Sequence, residues 1–282
     1  MKSVAFCTLG CKVNQYETDA MQELFQKDGY EIHAFHEAAD VYVINTCTVT
    51  NMADRKSRQM LHRARKKNPD AIIVAAGCYV QAAEEAVKED TAIDLVIGNN
   101  CKGQIVSMVE EFMRGREKRI QTIDINHTCD YEVMSISKVS EHTRAYIKIQ
   151  DGCNQFCSYC IIPYARGRVR SRQAEDILAE VTTLAASGYR EIVLTGIHTG
   201  NYGSDLGIKF SSLLKKILLI DGLKRLRISS IEITELDDEF FSFLNNDSSS
   251  TFPISNSLCN VLASSPVVSV ILLAARPVGA HN

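Results

Sequence analysis

Short apolar, β-branched runs alternate with longer amphipathic or charged stretches through the amino-terminal part of the chain. Ser3 to Leu9 precedes Asn14 to Lys27, and Val41 to Asn45 precedes Asn51 to Lys67. Ala71 to Ala76 then precedes Val80 to Glu89, and Leu95 to Gly98 precedes Lys102 to Met113. Strand-length and helix-length segments in alternation predict strand–helix units and a mostly parallel sheet. Glu31 to Phe35 reads as a further strand. The pattern predicts an α/β fold whose first domain, residues 1–125, is flavodoxin-like, followed by a linker over 126–143. Arg144 to Gln150 alternates like a strand, a helix is predicted over Ala174 to Ser187, and Glu191 to Leu194 and Arg225 to Ile231 read as two strands more.

Three cysteines occupy equivalent places in this scheme. Cys11 follows the first strand, Cys47 follows Val-Tyr-Val-Ile within Asn45-Thr-Cys-Thr, and Cys78 follows Ile-Ile-Val-Ala-Ala within Gly77-Cys. In a parallel sheet all three lie at the carboxyl edge, where open α/β folds place their ligands. Three thiolates with a fourth position open suit an iron–sulfur cluster whose remaining iron binds something exogenous. Zinc is the alternative metal, although a structural zinc site wants a fourth protein ligand. Three unrelated core cysteines are the alternative without metal. Cys7, in mid-strand, and Cys101, at a helix start, read as core packing.

Composition narrows the class. The 282 residues are 45% hydrophobic and 23% charged, which excludes collagen-like and wholly disordered chains. The net charge of −3 does not indicate a globally basic, duplex-coating protein. Arg55 to Lys67 nevertheless holds seven Lys and Arg on one predicted helix, either a solvated face or a contact for phosphates. No signal-peptide pattern follows Lys2, and the best membrane candidate, Val261 to Ala275, is short and interrupted by Ser and Pro. A soluble, cytoplasmic protein without a membrane partner is expected. In a reducing compartment ten cysteines point to metal binding or catalysis rather than disulfides.

The strongest motif follows the strand at Arg144. Asp151-Gly-Cys153-Asn-Gln-Phe-Cys157-Ser-Tyr-Cys160 has the spacing C-x3-C-x2-C, and no His or Cys that would complete a zinc finger appears before His198. With an aromatic before its last cysteine, this segment resembles the cluster loop of the radical S-adenosylmethionine (SAM) superfamily. Leu9-Gly-Cys-Lys-Val-Asn-Gln-Tyr-Glu-Thr18, Asn45-Thr-Cys-Thr48 and Gly77-Cys78 extend the likeness over residues 1 to 238 to the methylthiotransferase family. The wording around Cys11 is most similar to the branch acting on threonylcarbamoyladenosine next to the tRNA anticodon.

The resemblance implies a fold, a site and a chemistry. Residues 144–240 would be part of a radical SAM (β/α) barrel. Cys153, Cys157 and Cys160 would hold a [4Fe-4S] cluster whose open iron chelates S-adenosylmethionine. One electron would cleave the sulfonium, and the 5′-deoxyadenosyl radical so formed would take hydrogen from C2 of the modified adenine. An aromatic C–H of this kind is beyond His or Glu, so the cofactor carries the hard step. Cys11, Cys47 and Cys78 would hold a second, auxiliary [4Fe-4S] cluster associated with the sulfur. Tyr159, Gly196, Ser230 and Glu232 would contact S-adenosylmethionine. The implied partners are a tRNA anticodon stem-loop, an electron donor of flavodoxin or ferredoxin type, and an unspecified sulfur donor. A methylthiotransferase for isopentenyl-modified adenosine or a ribosomal protein is the nearest alternative, and an inactive iron–sulfur fragment the next.

Two features complete the reading. Arg166, Arg168, Arg170 and Arg172 alternate, which puts them on one side if the segment is extended, facing phosphates, a cofactor carboxylate or solvent. Family members continue to about six strand–helix units and a small β domain, whereas residues 241–282 read as an unrelated tail. Residues 245–282 carry eight Ser and three Pro, with no periodicity to complete a barrel. A truncated or frame-shifted product with unpaired strand edges is the expectation.

Overall fold

The central amino-terminal strands are mostly apolar and buried, as strands covered on both faces must be, whereas the outer ones at Glu31–His33 and Arg119–Gln121 are short, more polar and not buried. In the computed structural model the strands are β1 (Ser3–Thr8), β2 (Glu31–His33), β3 (Val41–Thr46), β4 (Ile72–Gly77), β5 (Leu95–Ile97) and β6 (Arg119–Gln121). The structure describes residues 2–115, 119–137, 144–232, 239–240 and 267–273. The chain divides into two compact units, one of Met1–Ile136 with Gly152–Arg168 and one of Ser137–Asp151 with Val169–Asn282. The cysteine-rich loop therefore belongs to the same unit as the amino-terminal sheet.

That sheet has the order β2-β1-β3-β4-β5-β6, parallel throughout. Its first five positions follow the flavodoxin-like order, whose switch point lies between β1 and β3. Successive residues of each strand face opposite sides. Val4, Val43 and Val74 pack with Met21 and Phe25 of helix α1 (Lys12–Lys27) on one side. Ala5, Tyr42, Ile44 and Ile73 pack with Leu61 and Ala64 of α2 (Asn51–Lys67) on the other. The helix expected over Val80 to Glu89 is two short ones, α3 (Cys78–Ala82) and α4 (Glu84–Glu89), and α5 spans Ile105–Gly115. Arg119 to Gln121, only three residues long, carries too little pattern to be legible as a strand.

The remaining elements are β7 (Ala145–Lys148), β8 (Gln150–Asp151), α6 (Ile162–Arg166), β9 (Arg170–Ser171), α7 (Ala174–Ala186), β10 (Glu191–Thr195), α8 (Phe210–Leu218), β11 (Arg225–Glu232) and β12 (Val267–Leu273). Strands β7, β10 and β11 are parallel neighbours separated by helices, the start of a (β/α) arrangement. β12 lies antiparallel against β11. The apolar run at 267, which showed no strand period, is thus a strand that pairs the edge of β11. Continuous apolar runs carry no alternation from which to distinguish strand from helix. Residues 241–266 and 274–282 lie outside the described residues. Among the described residues no helix is long and apolar enough to cross a membrane.

Candidate functional site

Register fixes where the three amino-terminal cysteines emerge. Thr8 of β1 stands opposite Asn45 of β3, and Thr46 of β3 opposite Gly77 of β4. The segments carrying Cys11, Cys47 and Cys78 therefore leave the same edge of the sheet at one level. Each is built by a local device. Gly10 and Gly77 both adopt φ of +97°, the region favourable to glycine. A Cβ on Gly10 would stand 2.8 Å from Cys47 Sγ, and one on Gly77 would stand 2.6 Å from Asn45 Oδ1 and 2.8 Å from the Thr46 carbonyl. Ser57 of α2 donates to the Cys47 carbonyl at 3.0 Å, anchoring the middle segment. Gly77→Ala is accordingly expected to destabilise this unit by about 1–3 kcal/mol from backbone strain alone, read as a lower urea midpoint at unchanged slope. A wild-type midpoint would refute the constraint.

Cys47 and Cys78 are buried, and Cys11 is exposed. Burial pushes the Cys47 thiol above its ordinary value; an N–H from Val49 opposes the shift, the Cys78 and Cys11 sulfurs add to it, and Arg166 opposes it. Cys47 thus lies within electrostatic reach of both other sulfurs. Among the described residues no three His, Cys, Asp or Glu close around a single metal ion. Three thiols borne by separate strand ends at one edge are a donor set that suits an iron–sulfur cluster with a fourth position open.

The loop of the second motif is held at its neck. The Cys153 N–H donates to the Gly167 carbonyl at 3.0 Å, and a Cβ on Gly152, at φ +72°, would stand 1.8 Å from the Arg168 carbonyl. Between these points Cys153 and Cys160 are half-buried and Cys157 is exposed. The Gln155 N–H points at Cys153 Sγ at 3.5 Å, and the Cys160 N–H donates to the Cys157 carbonyl at 2.9 Å. Phe156, at φ +47°, packs edge-on to Tyr164 beneath the Arg168 guanidinium. Tyr159 is 90% exposed. Three thiols on one short open loop, with aromatic surface beside them, fit a second cluster.

Other expected contacts fall in the second unit. A Cβ on Gly196, beyond β10, would stand 2.9 Å from Gln150 Oε1, which accepts from the His198 N–H. Gly196 therefore has a packing reason of its own. Ser230 and Glu232 lie in β11, and their side chains are outside the described residues.

The arginine run departs from expectation. Arg166 ends α6, so the segment is not extended throughout, and Arg166, Arg170 and Arg172 are buried with only Arg168 exposed. Arg166 donates to Glu17 Oε1 at 3.0 Å and to Asn14 Oδ1 at 2.6 Å. Arg170 lies 3.9 Å from Asp151, and Arg172 pairs with Glu180. Neither open phosphate contact nor a solvated turn describes these three, because each meets a buried carboxylate.

Sequence reasoning also missed the polar network beneath the cysteines. Asn14 donates to the carbonyls of Leu9 at 2.6 Å and Thr46 at 2.9 Å, tying together the segments that carry Cys11 and Cys47. Glu17 pairs with Arg166 and with Lys102, all three buried. Asn99 donates to the Ala165 carbonyl at 2.7 Å, so α6 is fastened to this same edge. The available signal was on α1, where Asn14 and Glu17 share the buried side with Val13 and Met21. A carboxylate on a core-facing helix position needs a cationic partner.

Two family models match the chain. Residues 3–98 match the family described as "Uncharacterized protein family UPF0004", and residues 147–246 match the Radical SAM superfamily. The chain is 44% identical over 247 residues to the threonylcarbamoyladenosine tRNA methylthiotransferase MtaB of Bacillus subtilis, covering 87% of this chain and 55% of that one. Its counterpart in Aquifex aeolicus is 42% identical, covering 86% and 59%. Over most of its length the chain is similar to radical SAM methylthiotransferases. A relative named tRNA-2-methylthio-N(6)-dimethylallyladenosine synthase, from Moorella thermoacetica, is 34% identical, covering 80% of this chain and 52% of that one. The chain spans about half the length of the curated relatives it matches, 55% and 59% for the two MtaB proteins. Its fold resembles the radical SAM methyltransferase TsrM of Kitasatospora setae, solved with cobalamin and a [4Fe-4S] cluster. There the TM-score is 0.61 at 15% identity over 86% of this chain and 59% of that one.

Proposed function

We propose that this chain serves a cytoplasmic tRNA-modifying transferase that places sulfur and then a methyl group at C2 of N6-threonylcarbamoyladenosine beside the anticodon. The observation that carries the reading is the common sheet edge of Cys11, Cys47 and Cys78 in the unit that also holds the Cys153–Cys160 loop. Cys153, Cys157 and Cys160 would hold one [4Fe-4S] cluster, and Cys11, Cys47 and Cys78 the other. Bound S-adenosylmethionine and a reduced cluster supply the homolytic chemistry that acid–base side chains cannot.

The chain's own residues bind and orient. The six thiols ligate as thiolates, and the glycine turns at Gly10, Gly77 and Gly152 set the directions from which they do so. Tyr159 offers an exposed ring for stacking on the adenine of S-adenosylmethionine. The family resemblance also assigns Gly196, Ser230 and Glu232 to S-adenosylmethionine. The exposed Arg55, Lys56, Arg58 and Arg63 of α2 meet tRNA phosphates. Arg65 is instead committed to Asp94 and to backbone carbonyls. A one-electron donor of flavodoxin or ferredoxin type would supply the reducing electron.

The substrate is tested in a strain lacking the gene. Nucleosides from its tRNA should lose the methylthio group on threonylcarbamoyladenosine while isopentenyl-modified adenosine keeps its own. Loss on the isopentenyl nucleoside, or an unchanged profile, would overturn the assignment.

A further inference from the structure

Asn99 follows β5 and is fully buried. Its backbone N–H donates to Gln81 Oε1 at 3.2 Å, which fixes the start of the side chain. The amide oxygen accepts from Lys102 Nζ at 2.9 Å. The amide nitrogen donates to the Ala165 carbonyl at 2.7 Å and points at Cys78 Sγ at 3.5 Å.

Chemistry allows this amide only one orientation. An ammonium has three donors and no acceptor, so the oxygen of Asn99 must face Lys102. Lys102 is itself held by Glu17, and Glu17 by Arg166, all inside the unit. The two N–H groups then have to face the other way, where a carbonyl oxygen and a sulfur are the acceptors available. Neither Asp, which has no N–H when ionised, nor Leu could serve these acceptors.

We propose that Asn99 is a positioning residue that aims an N–H at the Cys78 sulfur, with Lys102 as its lock, and thereby raises the reduction potential of the cluster held by Cys11, Cys47 and Cys78. The inference rests on the reading that Cys78 ligates a cluster. Hydrogen bonds to cluster sulfurs are among the protein's levers on potential. Reduction adds an electron whose charge spreads onto the ligand sulfurs, and a donor aimed at one of them stabilises that form more than the oxidised one. α6, which follows the Cys153–Cys160 loop, supplies the Ala165 carbonyl that holds the second N–H. The seating of that helix therefore bears on the direction of the first.

The test uses the full chain with Cys153, Cys157 and Cys160 all changed to Ala, which leaves only the amino-terminal triad. After anaerobic reconstitution with iron and sulfide, iron per chain is counted and the midpoint potential is measured by titration followed by electron paramagnetic resonance. Asn99→Asp, close in shape, and Asn99→Leu are compared in this background, with Cys78→Ala as the control that removes the ligand. The expected result is iron retained in both Asn99 variants with the midpoint shifted to more negative potential, and iron lost in Cys78→Ala. An unchanged midpoint in both variants would overturn the inference alone. So would loss of iron from both, which marks a purely structural role. A parent that holds no iron, or a Cys78→Ala variant that keeps it, would sink the cluster reading and the inference with it.

Discussion

Cys157→Ala is expected to abolish release of 5′-deoxyadenosine from S-adenosylmethionine by the reduced, reconstituted protein and to leave its folding untouched. Cys157 is exposed, so the substitution removes no buried contact and should shift the thermal midpoint little. Its loop has no spare thiol: Cys153 and Cys160 are its other two cysteines, and neither can take a second ligand position. With two thiolates the site loses its cluster, and with the cluster goes the only group on this loop able to transfer an electron. The expected change is from measurable turnover to none detectable, with iron per chain falling by about half. Persistent turnover in Cys157→Ala would show that this loop is not the cleavage site.

The second large effect is on stability. Glu17 sits buried between Arg166 and Lys102. Glu17→Ala removes their shared carboxylate and leaves two cations in a space closed to water. Breaking a buried pair from one side costs about 3–5 kcal/mol, because the abandoned charge loses its compensation. Against a typical total of about 5–15 kcal/mol for a domain, this is a large share. Urea unfolding of Glu17→Ala should show a loss of that size. Glu17→Gln, which keeps a carbonyl acceptor, should lose less. A change below about 1 kcal/mol in Glu17→Ala would mean that the three groups act as a surface pair does.

Much of this fold was legible because one physical rule served for a long stretch. Buried parallel strands are continuous apolar runs and their helices are amphipathic, so β1, β3, β4, β5, α1 and α2 could be read within a residue or two. The same rule placed Cys11, Cys47 and Cys78 at one edge, since parallel strands must all end on the same side. The arginine run was misread because its partners, Glu17, Asp151 and Glu180, come from other elements, and nothing local marks an arginine as buried. Asn99 and Lys102 were invisible for a related reason. Their roles depend on a strand end and a helix start meeting α1 and α6, a tertiary fact without a sequence period. The strand at Val267–Leu273 was missed because its backbone pairing, not its pattern, defines it.

The central claim is that two separate cysteine triads each hold a four-iron cluster. Its most direct test is iron and acid-labile sulfide per chain after anaerobic reconstitution. The account predicts about eight of each, falling to about four when either Cys47 or Cys157 is replaced by Ala. No bound iron, or zinc in its place, would contradict it.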